Sequence, residues 1–167
     1  MNSPFAHIYL AIQQRIQTLV PEVKFIEHDF GQLDDYSNGR PPVAFPCVLI
    51  DFQSWQFENM GNSAQRAEGN VTIKLGYAKH GQSHQATPEQ WREAALEYYD
   101  LEWKLNKALH GFSPGDNYGH LTRTTETKQN QPMYVRVKTT TYRLSFEDYS
   151  ATPEQWMIDT PPLTVDF

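Results

Sequence analysis

The stretch Phe45 to Trp55, FPCVLIDFQSW, decides what kind of sheet this chain builds. Val48 and Ile50 fall on one parity and Cys47 and Leu49 on the other, so its first half is apolar on both faces. That is the pattern of a central strand covered on both sides for part of its length. A second strand follows at NVTIKLGYA, where Val71, Ile73, Leu75 and Tyr77 alternate with Thr72, Lys74 and Gly76, giving one buried and one wet face. Further on, Leu121 to Lys128 is Thr-rich and charged, NQP supplies a turn, and Met133 to Phe146 forms a second arm. This reads as a hairpin. In the second arm the apolar parity is Val135 and Val137 at first, then Tyr142, Leu144 and Phe146, which a bulge or sharp twist within Thr139 to Thr141 would reconcile.

Two helices are expected. Ser3 and Pro4 form a cap and first-turn pair, and Phe5, Ile8, Ile12, Ile16 and Leu19 recur at spacings of three and four, ending before Pro21. Val23 to His28 alternates weakly as a strand, and GQLDDYSNGRPP after it is turn chemistry, an exposed loop. The second helix is predicted to run from Pro88 to His110 with a core stripe of Trp91, Ala94, Tyr98, Leu101, Leu105 and Ala108. Leu96, Tyr99 and Trp103 fall almost opposite that stripe, while Glu93, Glu97, Asp100 and Lys104 occupy one flank. A second apolar side needs a second cover, either a loop or the tail of the same chain, or a neighbouring subunit. The expected fold is α+β, a mainly antiparallel sheet with an N-terminal helix and a long central helix packed on one face. Residues 1–150 read as a single domain and 151–167 as an extension with a short helical turn and an extended end. The hexapeptide ATPEQW occurs at Ala86–Trp91 and again at Ala151–Trp156, each with the grammar of a capped helix start. Its flanks share nothing, so it is punctuation and not a duplication.

At 167 residues the chain suits one domain with its own core. A net charge of -6 argues against a protein that grips nucleic-acid phosphates. The single Cys47, within an apolar run, excludes a disulfide framework and reads as a buried thiol in a reducing compartment. No signal peptide or membrane span is expected. HExxH, GxxxxGK[ST], GxSxG and CxxC are all absent. His80 and His84 lie in a turn-rich loop rather than on a helix, which disfavours a metal site. His28 beside Asp29 reads as a solvated pair, His7 lies beside an apolar helix face, His110 sits at a helix end where a cation suits the dipole, and His120 reads as a capping or loop-bracing group. Glu93 and Glu97 form a solvated flank, and Arg123, Arg136 and Arg143 are accompanied by Glu126, Glu147 and Asp148, a mixed-sign strand surface. No cofactor and no catalytic activity are expected.

The order of parts resembles a known family. An amphipathic helix, the strand FPCVLIDF after a Pro-rich loop, the strand NVTIKLGYA, a helix ending in ALHGF, a polar hairpin and YRLSFED are together similar to tail terminator, or tail completion, proteins of long-tailed bacteriophages and related prophage elements. The resemblance covers residues 5–148. It implies an α+β structural protein of the virion, without catalytic residues, that forms a homo-hexameric ring at the head-proximal end of the tail and is assembled in the host bacterial cytoplasm. The implied partners are the tail tube protein and the head-tail connector protein, with DNA passing through the ring without sequence-specific binding and with no membrane involved. A head completion or neck protein of the same particle is the nearest alternative.

On this reading Leu96, Tyr99 and Trp103 are the candidate subunit interface. Lys128, Gln129, Asn130 and Gln131 at the hairpin tip are the candidate contact with the tube or a neighbouring ring. After the second ATPEQW, Pro161 and Pro162 halt the turn, and Leu163, Val165 and Phe167 alternate with Thr164 and Asp166. Trp156, Leu163, Val165 and Phe167 are therefore expected to dock on the chain's own subunit or the next one. Two competing readings are a small cytosolic enzyme with a site in the 113–120 loop, built on Asp116, Tyr118 and His120, and a monomeric binding module using Trp55 and Phe57.

Overall fold

Strands Cys47–Gly61 (β2) and Ala64–Ala78 (β3) pair antiparallel over nearly their whole length. The computed structural model describes residues 3–78, 83–132 and 135–153. Phe25–His28 (β1), Thr122–Asn130 (β4) and Val135–Asp148 (β5) complete a five-stranded sheet in the order β1-β2-β3-β5-β4. β1 is parallel to β2 and all other neighbours are antiparallel, so the sheet is mixed. The helices are Pro4–Leu19 (α1), Glu89–Ala94 (α2) and Glu97–Leu109 (α3). No helix among the described residues is long and apolar enough to cross a membrane.

This corrects the expected fold class. The domain is dominated by its sheet, and the long central helix from Pro88 to His110 does not exist as one rod. It breaks at Ala95 and Leu96, where Leu96 N–H bonds the Glu93 carbonyl and Tyr99 N–H bonds the Leu96 carbonyl, a tightened three-residue spacing. The two segments differ in what they bury. Leu101, Leu105, Ala108 and Leu109 have strands beneath them and are buried, whereas α2 buries no residue of its own. At the break only the small Ala95 turns inward, and Trp91, expected in the core stripe, is 63% exposed. The ATPEQW cap does not form either: the Thr87 hydroxyl finds no partner among the described residues.

The middle of the sheet is buried on both sides by unlike covers. On one face Ile8, Ile12 and Ile16 of α1 and Leu101, Leu105 and Leu109 of α3 pack on Val48, Ile50, Val71, Ile73, Tyr142 and Leu144. On the other, Leu33 with the half-buried Val43 and Phe45 packs on Cys47, Leu49, Val135 and Val137. The loop after β1 is therefore not exposed throughout. Parallel pairing of β1 and β2 obliges the connection to cross over, and this one crosses beneath the sheet and seals it with Leu33. On α1, Val20 takes the buried place expected of Leu19, which is half-exposed.

Two covers also explain the parity change in β5. Its pairing with β3 is continuous from Gln65 opposite Asp148 to Ala78 opposite Val135, so no bulge lies at Thr139–Thr141 in that register. The strand stays regular and the cover changes. A bulge lies instead in β2 between Gln53 and Gln56, where Ser54 has φ 56°. It flips the parity, so that Phe57 opposite Ala67 shares the face of Phe52 opposite Val71. Trp55 thereby joins Phe5, Phe52 and Phe146, lying so close over Gly69 that a Cβ there would sit 2.3 Å from the indole. Gly69→Ala is expected to lower stability by about 1–3 kcal/mol, the range for over-packing. Urea unfolding followed by tryptophan fluorescence checks it.

Candidate assembly surface

Glu102 faces the sheet from the middle of α3 and is almost fully buried. Its Oε1 accepts from Arg136 Nε at 3.2 Å and Nη2 at 3.0 Å, and its Oε2 accepts from Lys138 Nζ at 3.0 Å. Lys138 also pairs with Glu126 of β4 at 3.1 Å, and Glu126 with Arg123 at 2.9 Å. Tyr142 hydroxyl donates to Asn106 Oδ1 at 3.4 Å one turn further along. A buried carboxylate is tolerated only when its lone pairs are filled, so this network holds α3 at one rotation and one height over β5.

That rotation sets what points outward. Leu96, Tyr99 and Trp103 are 37%, 50% and 61% exposed. Leu96 and Tyr99 line one groove of about 570 Å³ with Ala94, rimmed by Glu93, Glu97 and Asp100. Trp103 stands on the same α3, with Lys107 Nζ 5.0 Å from its ring centroid. The guanidinium of Arg136 lies 4.0 Å from the Tyr98 ring and 5.0 Å from that of Tyr99. Partial burial, then a hydrogen bond with Tyr99, pushes the Tyr98 phenol up to about 12. These aromatics are rigidly placed, as two-torsion side chains held by a cation are.

β4 is exposed along its whole length, and it carries Lys128, Gln129 and Asn130 at the hairpin tip. The tip is tethered: Gln131 Nε2 donates to Asp34 Oδ1 at 2.5 Å, and Tyr36 hydroxyl donates to the Pro132 carbonyl at 3.2 Å. Trp156, Leu163, Val165 and Phe167 lie outside the described residues, as does His80.

Among the described residues no hydrogen bond or ion pair joins Asp116, Tyr118 and His120. Tyr118 stacks on His7 and packs against Phe146, while Asp116 and His120 are exposed. The 113–120 loop is braced by Ser113, whose hydroxyl bonds the Gly115 and Tyr118 carbonyls at 2.8 and 2.9 Å. Among the described residues no three His, Cys, Asp or Glu side chains gather as metal ligands would. His28 and Asp29 are not a solvated pair: Asp29 meets Lys74, and His28 stacks on Tyr9 at 4.1 Å. Arg123, Arg136 and Arg143 each face a carboxylate, Arg143 only loosely at 3.8 Å from Glu68. Trp55 is turned into the aromatic cluster, which leaves Phe57 without it as a ligand surface.

A second apolar patch went unread in the sequence. Phe30 is 79% and Leu10 47% exposed, beside a hollow lined by Phe5, Ala6, Tyr9, Leu10, His28 and Phe52. Leu10 falls off the three-four stripe of α1, and that departure was its signal.

No protein-family model matches the sequence, and no curated protein is similar to it. Among solved structures, a chain of the virion of a native gene transfer agent particle aligns with 12% identity and a TM-score of 0.49, covering 89% of this chain and 100% of that one.

Removing the Glu102 carboxylate leaves Arg136 without its ion pair. Glu102→Ala is expected to cost about 3 kcal/mol, the low end for a broken buried pair because Lys138 keeps Glu126. Glu22→Ala, which breaks only the exposed pair with Lys104, should cost far less. Chemical denaturation of both variants checks the ranking.

Proposed function

We propose that this chain is a structural virion protein that caps the phage tail tube as a hexameric ring and provides the joining surface for the head connector. One observation carries the reading. A helix held in place by a buried ion network turns Leu96, Tyr99 and Trp103 outward in one row. Contiguous exposed aromatics mark contact surfaces, and Tyr and Trp are favoured there. The type of assembly comes from the order of elements, which resembles that of tail terminator proteins.

Within that reading each surface has a role. Leu96, Tyr99 and Trp103 form the seam between neighbouring copies. The polar tip at Lys128, Gln129, Asn130 and Gln131 meets the tube protein, its tether to Asp34 and Tyr36 fixing where it points. Trp156, Leu163, Val165 and Phe167 pack on the subunit or its neighbour. A net charge of -6 lets DNA pass the lumen without adhering.

Trp103→Glu places a charge in the seam that an apolar interface cannot solvate. The variant is expected to keep its circular dichroism spectrum while losing ring assembly by light scattering and losing its ability to cap tail tubes. Unchanged assembly and capping by the folded variant would sink the seam.

A further inference from the structure

A closed ring of identical copies in which each meets two neighbours head to tail needs two different, mutually fitting surfaces on one subunit. The stripe on α3 supplies one. It is poorly suited to meet itself, because Glu93, Glu97 and Asp100 rim its groove with no ion pair among the described residues. Self-pairing would bring two sets of carboxylates together. Antiparallel self-pairing would oppose them with Lys107, already over Trp103, with Lys104, already on Glu22, and with Arg92 of α2.

We infer that the acceptor for this stripe is the Phe30–Leu10 patch of a second copy, so that the α3 side of each subunit seats against the α1–β1 side of the next. This rests on the ring reading and names its missing half. Three observations carry it. The patches belong to two different helices held to different strands: α1 is tied to the edge strand β1 through Tyr9 to Glu27 and Gln13 to the Ile26 carbonyl, while α3 is clamped to β5, next to the edge strand β4. The acceptor is electrostatically quiet. Arg15 is the only charged side chain of α1 and its Nε bonds the Ala108 carbonyl, Asp29 is paired with Lys74, and Glu27 accepts from Tyr9 and from the His28 N–H. An acidic-rimmed stripe therefore meets no opposing carboxylate there that lacks a partner. Finally, the acceptor hollow, about 280 Å³, is lined almost wholly by apolar and aromatic side chains, the surroundings that suit an inserted aromatic ring.

The test uses Gln14→Cys, on the exposed face of α1, and Gln90→Cys, on the rim of the stripe's groove, with a short bis-maleimide added in the presence of tail tubes. Cys47 stays inert because burial hides its thiol and holds its proton up to about 12. A mixture of the two variants should give a covalent dimer that neither gives alone, and the double variant should give a ladder of higher species. Cross-linking within either single variant alone would mean a two-fold contact and overturn the inference. Rings seen in micrographs without mixed cross-links would overturn the acceptor and leave the ring standing. Absence of both rings and cross-links would overturn the ring reading and this inference with it.

Discussion

The grip of Glu102 on Arg136 and Lys138 is the interaction on which the useful surface depends. Hydrophobic packing alone places a helix on a sheet but leaves it free to roll by a few tens of degrees, since Leu101, Leu105 and Leu109 would be buried at several rotations. A buried carboxylate shared by two bases permits one rotation only, because any other leaves charge unpaired in a poorly solvated place. With α3 fixed, Tyr99 and Trp103 have one direction left. Arg136 then serves twice, as the partner of Glu102 and as the cation beneath Tyr98 and Tyr99.

The sheet makes that grip possible by being covered on both faces. Leu33 and Phe45 seal the side away from the helices, so β5 can offer Val135 and Val137 downward while Arg136 and Lys138 reach up to Glu102. Apolar and charged residues alternate in this part of β5 because each has a different layer to meet. Further along, Tyr142, Leu144 and Phe146 face the helix side, where Phe5 and Trp55 extend the core beyond α3.

How much of this was legible beforehand follows from which interactions are local. The double-sided run CVLI, the alternation of β3 and the β4–β5 hairpin could be read because strand patterning lies in adjacent residues. The exposed side of Leu96, Tyr99 and Trp103 was legible from helical spacing. The break at Ala95–Leu96 was not, since no Gly or Pro marks it. Leu33 sits in turn-rich sequence, and only the parallel crossover of β1 and β2 brings it beneath Cys47. Phe30 and Leu10 come from separate elements and become one patch only after α1 lies along β1.

On the proposed reading the chain presents an outward aromatic seam on α3 and a quiet apolar hollow beside α1, both held to one sheet. Rigidity matters, because small angular errors accumulate around a closed ring. The measurement that bears most directly on the seam is an electron cryomicroscopy map of tail tubes capped by this protein. A ring with α3 at each boundary between copies, Tyr99 and Trp103 buried there, is the predicted result. A ring whose boundaries leave α3 facing solvent or the lumen would contradict it.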